Sequence, residues 1–371
     1  MTDDLPPEPD RVEGAPHPRE TRELFGHAAA EAALLDAQTA GRLHHAWLIT
    51  GPRGIGKATL AWRIARFLVA GPSEGGLFGD APGTLDLPQD HPVWRRSLSL
   101  SEPGIALCRR AWDDKAKRLK TALTVDEVRK LKAHFTLSAT EGGWRVALID
   151  AVDEMNTAAA NALLKLLEEP PARTVLLLVC HQPSRLLPTI RSRCRMLRLN
   201  PLVPEDFARA LAQAEQPLDQ VEVLHQLTAG SVGDAIRLQT LGGLELLEDV
   251  SSLLGQTPGL DRQRLAALAA RAAGRTSAET YTMILELTLL MLARLARAGA
   301  GAAVSLTPAE IAMRDRLCPS VAAARRWAEV QQELTERVLH ARAVNLDPEQ
   351  VILDMFLTIE KTAARVTRAD A

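Results

Sequence analysis

Cysteine is scarce in this chain, neither sign of charge has much excess, and no long hydrophobic run occurs. The four cysteines, Cys108, Cys180, Cys194 and Cys318, form no C-x-x-C pair. That spacing supplies neither a disulfide framework nor a zinc ligand set, and it suits a reducing cytosol. A cytoplasmic protein is therefore expected. Lys and Arg number 44 against 46 Asp and Glu, a formal net charge of −2. Such balance excludes a chain that holds nucleic acid alone through a strong overall field, and leaves room for a local patch. The most apolar stretch, Ile284 to Ala296, contains Glu286 and Arg294 and is too short for a membrane span. The first residues are acidic and proline-rich, so no secretory signal is expected there.

What is present suits a globular protein. The 371 residues allow two or three domains with real cores, and 46% hydrophobic with 24% charged residues is ordinary for soluble chains. Residues 1–20 hold Asp, Glu, Pro and Gly and are expected to form a disordered tail. A helix is expected from Arg22 to Ala40, with Leu24, Ala28, Ala32 and Leu35 on its apolar face.

The next stretch reads as strand, glycine loop and helix. His45 to Thr50 is a short buried strand, and Ala58 to Ala70 is helical with Leu60, Ile64, Phe67 and Leu68 recurring. Between them lies Gly51-Pro52-Arg53-Gly54-Ile55-Gly56-Lys57-Ala58-Thr59. Gly51, Gly56 and Lys57 stand at the spacing of the phosphate-binding loop G-x-x-x-x-G-K-[ST], with Gly54 inside it. Such a loop aims backbone N–H groups at a phosphate. The residue after Lys57 should carry the Mg²⁺-binding hydroxyl. Here it is Ala58, and Thr59 falls one place late, about 100° round the helix.

Gly71 to Gly83 reads as loop, and Asp86 to Leu123 has no clean period and reads as an insertion. Thr124-Val125-Asp126-Glu127 is a capping-box sequence before a helix carrying Val128, Leu131 and Phe135. Gly142-Gly143 breaks the chain. Trp144 to Asp150 and Arg173 to Cys180 are apolar runs that predict buried parallel strands, with a helix over Thr157 to Glu169 between them and a further strand at Met196 to Leu199. Alternating strands and helices predict a doubly wound α/β domain. Asp150 ends its strand where P-loop ATPases place the Mg²⁺-holding carboxylate. The next residue is Ala151, with no water-orienting carboxylate, and Asp153 and Glu154 are expected in solvent. Beyond Pro201 the pattern is helical. Thr307-Pro308-Ala309-Glu310 and Asp347-Pro348-Glu349-Gln350 are strong helix starts.

The strings Asn161-Ala-Leu-Leu-Lys-Leu-Leu-Glu-Glu-Pro-Pro171 and Leu186-Leu-Pro-Thr-Ile-Arg-Ser-Arg-Cys194 give the chain a family. Together they resemble the bacterial clamp-loader subunits of the AAA+ superfamily, over roughly residues 22–240. The resemblance implies an α/β P-loop (AAA+) core with a parallel sheet over 21–200. A small helical lid over 201–242 and an all-α C-terminal collar over 243–371 would follow. It implies that Arg193 is an arginine finger, reaching in trans to ATP on a neighbouring subunit; whether Arg191 or Arg195 takes part stays open. The family's sensing arginine falls on Gly233 of Gly230-Ser231-Val232-Gly233, with Arg237 one turn later as a substitute or a solvent-facing residue. His181 or Gln182 stands where relatives sense the γ-phosphate, or caps the loop. Relatives bind zinc in the insertion; only Cys108 lies there, and His44, His45 and His91 do not complete a set, so no zinc is expected.

With Ala58, Ala151 and Gly233, three ATPase parts are missing. The expectation is a non-hydrolysing subunit of the DNA polymerase III clamp loader, whose loop residues Gly51, Gly54, Gly56, Lys57, Thr59 and Asp150 are left to hold ATP or ADP; occupancy stays open. Implied partners are the motor subunits (gamma or tau), the delta subunit, the sliding clamp, and primed DNA through the assembled hetero-oligomer. No membrane partner is expected. Two rivals are an active ATPase with Thr59 rescuing Mg²⁺, and a non-replicative AAA+ scaffold.

Overall fold

The computed structural model describes residues 7–71, 83–137, 143–273, 278–304 and 306–369. The loop expected between Gly71 and Gly83 and the break at Gly142 therefore fall largely outside the described residues. Elements run α1 Ala28–Thr39, β1 Ala46–Thr50, α2 Lys57–Ala70, α3 Pro92–Leu98 and β2 Ile105–Arg109. A small hairpin follows, β3 Trp112–Asp113 and β4 Arg118–Leu119. Then come α4 Val125–Leu137, β5 Arg145–Asp150, α5 Thr157–Glu168, β6 Thr174–Cys180, α6 Pro188–Arg191 and β7 Arg195–Arg198. Helices α7 Pro204–Gln213, α8 Val221–Leu227 and α9 Val232–Thr240 complete this part. Contacts divide the chain into two units, with the division between Ile236 and Arg237.

In the first unit a five-stranded parallel sheet has the order β2-β5-β6-β1-β7. The strand following the Asp150 strand in sequence thus lies between it and the P-loop strand. Every residue of β1 and β6 is buried, because helices cover both faces. The period of two sorts the side chains. Leu176 and Leu178 join a core with Val128, Leu131 and Leu163, from α4 and α5. Leu177 and Val179 join the opposite core with Leu34, Leu60 and Ile64, from α1 and α2.

Four expectations are corrected here. First, residues from Glu8 to Thr21 are not a loose tail: His17 and Arg19 are buried, and an ion network fixes the segment. Second, α1 begins at Ala28 and not at Arg22, since Gly26 adopts φ +75°; its buried face is Leu34 and Ala37, with Ala32 exposed. Third, the insertion holds a core element, β2, which is an edge of the main sheet. Fourth, the capping box at Thr124 does not form: its Oγ1 is buried without a hydrogen bond, and Glu127 pairs with Lys130.

The second unit is helical: α10 Gly243–Gln256, α11 Arg262–Ala270, α12 Ala278–Gly299, α13 Pro308–Leu317, α14 Val321–Ala343 and α15 Pro348–Ala369. Among the described residues no helix is long and apolar enough to cross a membrane. The capping box at Thr307 does form, and Glu310 within it also accepts from buried Arg294 at 2.7 Å. The guanidinium and the Thr307 N–H hold the Glu310 carboxyl below its usual range against the opposing effect of burial, which is the largest single influence. Glu310→Ala is expected to cost about 3 kcal/mol, because it strips a buried arginine of its carboxylate partner. Thermal unfolding of the full chain checks this, against Glu310→Gln, which keeps part of the hydrogen bonding.

Candidate phosphate site and arginine edge

The glycine loop runs from the end of β1 into α2. Gly56 precedes α2 at φ +100°, a conformation side chains rarely adopt, so the loop turns where a glycine permits it. Lys57 opens the helix and is 3% exposed. Its ammonium donates to the carbonyl of Pro52. Burial pulls its pKa down to about 8, opposed by Asp150 and Asp153. Thr59 is buried, and Ala58 is half-buried and offers no hydroxyl.

Asp150 ends β5 and is 8% exposed. Burial first, then Asp10, pushes its pKa up to about 7, with Lys57 opposing. Asp153 and Glu154 are not in solvent as expected. Asp153 accepts the N–H groups of His181 and Gln182, each at 3.0 Å, and so ties the ends of β5 and β6 together. Glu154 forms an ion pair with Arg110 at 2.6 Å. Burial and Lys57 push the imidazole of His181 down to about 4, leaving it neutral, and its buried Nδ1 has no hydrogen-bond partner.

The lid turn packs directly on this loop. Gly233 N–H donates to Gly54 O at 2.9 Å, and Ser231 Oγ donates to Arg53 O at 2.8 Å. A Cβ at Gly233 would stand 2.8 Å from Gly54 Cα, and one at Gly54 would stand 2.4 Å from Ser231 Oγ. Position 233, where the resemblance implies a sensing arginine, thus has no room for any side chain. Arg237 is paired with Glu286 at 2.9 Å.

The residues fit a phosphate group: a glycine-permitted loop at a helix N-terminus, a buried lysine, and an orphaned imidazole nitrogen nearby. Gly51, Gly54, Gly56 and Lys57 would hold it, with Asp150 facing a bound cation. The chemistry available is charge neutralisation of the phosphate. A phosphate ligand needs Lys57 charged, and raising pH through about 8 removes that charge. Affinity for ADP is therefore expected to fall about tenfold between pH 7 and pH 9. Titration at both values, with Lys57→Ala removing the dependence, checks it.

Arg193 lies elsewhere, in the turn between α6 and β7. Its Nη1 donates to Thr189 O at 3.1 Å, and its Nη2 is 2.9 Å from Glu168 Oε1 at the end of α5. Side-chain exposures are 37% for Arg193 and 50% for Glu168. Such a half-exposed pair holds by at most about 1 kcal/mol, so a stronger anion displaces it. Arg191 is exposed, whereas Arg195 stacks over Trp47 at 4.8 Å. β7, the strand that follows, is a sheet edge. Nothing in the sequence marks Glu168 as this partner, beyond its place before the Pro170-Pro171 stop.

Among the described residues no three His, Cys, Asp or Glu gather as a metal site.

The strand order, the glycine loop and Asp150 define an α/β domain of the P-loop type, built on a parallel sheet. The family model of "DNA polymerase III, delta subunit" matches residues 90–203. The delta-prime subunit of DNA polymerase III from Pseudomonas aeruginosa is 36% identical over 241 residues, 62% of this chain and 66% of that protein. The Escherichia coli delta-prime subunit is 34% identical over 209 residues, 55% and 57% of the two chains. A gamma/tau subunit from Mycobacterium bovis is 28% identical over 266 residues, 63% and 41%. By sequence the chain is similar to delta-prime subunits of DNA polymerase III. It spans somewhat under two thirds of the delta-prime relatives it matches.

Proposed function

We propose that this chain is a non-hydrolysing subunit of a DNA polymerase III clamp loader. It sits in a hetero-oligomeric ring with motor subunits (gamma or tau) and a delta subunit. The ring loads the sliding clamp onto primed DNA, and DNA is met through the assembled complex. Arg193 is presented in trans to ATP on a neighbouring motor subunit.

The observation that carries this reading is the contact between Gly233 and Gly54. It removes space for a sensing arginine over the chain's own loop. Ala58 and Ala151 add two further losses, each worth tenfold or more in rate for every 1.4 kcal/mol of barrier. Rescue of Mg²⁺ binding by Thr59 is disfavoured by its burial. Meanwhile Arg193 is accessible and lightly tethered, as a group that acts on another molecule needs to be. Any ATP or ADP that the loop takes up is then held without turnover.

The isolated chain is expected to show no ATP hydrolysis above that of its Lys57→Ala variant. Turnover that disappears in Lys57→Ala would support the active-ATPase rival. Failure to assemble with the sliding clamp and motor subunits would support the scaffold rival.

A further inference from the structure

Residues from Glu8 to Glu20 form a clasp of acids and arginines at the rim that also carries Asp150. Asp10 Oδ1 lies 2.5 Å from Arg109 Nη1, and Glu8 Oε1 lies 2.7 Å from Arg109 Nη2. Glu8 Oε1 also accepts from Arg19 Nη1 at 2.7 Å. His17 is wholly buried, with Nε2 at 3.1 Å from Asp10 Oδ2 and 3.6 Å from Glu8 Oε2. Glu20 accepts from the N–H of His17 at 2.9 Å and pairs with Arg11 at 3.0 Å. Arg19 anchors the segment to the core through Leu98 O at 3.1 Å, and its own carbonyl accepts from buried Arg66.

The position of Arg109 gives the clasp its meaning. Arg109 is the last residue of β2, in register with Asp150, the last residue of β5. Ligands of open parallel sheets bind at this C-terminal rim. Glu8 and Asp10 consume the positive charge of the arginine that stands beside the site carboxylate. Asp10 is also close enough to oppose the charge of Asp150. An incoming phosphate thus loses an attractive cation and meets an added carboxylate.

We propose that this N-terminal clasp is a built-in acidic competitor that keeps phosphate ligands from the Lys57–Asp150 site. Displacing Glu8 and Asp10 from Arg109 opens the site to a nucleoside diphosphate. The proposal rests on the reading of the glycine loop as a retained phosphate cradle.

The test is equilibrium titration of the full chain with ADP and Mg²⁺, alongside limited trypsin cleavage after Arg11 and Arg19 to report opening of the clasp. Glu8→Gln with Asp10→Asn is expected to speed cleavage and tighten ADP at least tenfold, and adding Lys57→Ala removes the gain. Arg109→Met frees the same carboxylates but deletes the arginine, so it speeds cleavage without the tenfold gain. Faster cleavage with unchanged affinity overturns the competitor role. Unchanged cleavage overturns it too, since the carboxylates then do not hold the clasp. Tight ADP binding in the unaltered chain, insensitive to the variants, overturns the clasp and leaves the phosphate cradle standing. No ADP binding in any variant overturns both.

Discussion

Gly233→Arg, which restores the family's sensing arginine, is expected to destabilise the first unit and give no ATPase activity. A Cβ at 233 would lie 2.8 Å from Gly54 Cα, a backbone atom that cannot swing aside. Gly54 is itself held at φ +73° and bonded through its carbonyl to Gly233 N–H at 2.9 Å. Even Gly233→Ala meets that backbone, so the penalty starts with the first carbon. Overpacking of this kind costs about 3 kcal/mol, or about 8 °C in Tm for a unit of this size. Differential scanning calorimetry of the full chain measures it. A Gly233→Arg chain of unchanged Tm that also hydrolyses ATP would contradict the packing account and the loss of function together.

The central strands were legible because burial on both faces leaves nothing but apolar residues. Val146 to Ile149 and Val175 to Cys180 are continuous runs, and each is almost wholly buried. β2 was not legible. It is a short edge strand, Ile105 to Arg109, with alternate residues half-buried, and it ends in Arg109 with Arg110 following. Edge strands carry a weak period and little apolar excess. The start of α1 had a readable sign in Gly26, which needs a positive φ.

The site divides in the same way. Gly51, Gly54, Gly56, Lys57 and Asp150 sit on local motifs whose spacing fixes their neighbours. The partners that define their surroundings are remote: Gly233 meets Gly54, Asp153 meets the turn after β6, and Asp10 meets Arg109 across 99 residues. The N-terminal segment reads as disordered by composition because it holds almost no large apolar residue. What ties it to the fold is Arg109 and the core, and no window of sequence brings those together.

Arg193→Ala has the second large expected effect, and it appears in an assembly. The guanidinium is planar, always charged, and held by one carbonyl and one half-exposed carboxylate. A γ-phosphate carries more charge than Glu168 and competes well for it. Arginine fingers contribute about 10³ to 10⁵ in rate at the site they serve. Deleting this one is expected to silence the neighbouring motor site, so that the complex loses that site's share of turnover. Arg191→Ala, which changes an exposed residue nearby, is expected to have little effect.

The most direct test compares two substitutions in a reconstituted complex of this chain with motor subunits, delta subunit, sliding clamp and primed DNA. Assembly should survive both Arg193→Ala and Lys57→Ala. DNA-dependent ATPase activity should fall with Arg193→Ala and stay unchanged with Lys57→Ala. The opposite pattern, full activity without Arg193 and lost activity without Lys57, would place the chemistry in this chain's own loop and contradict the account.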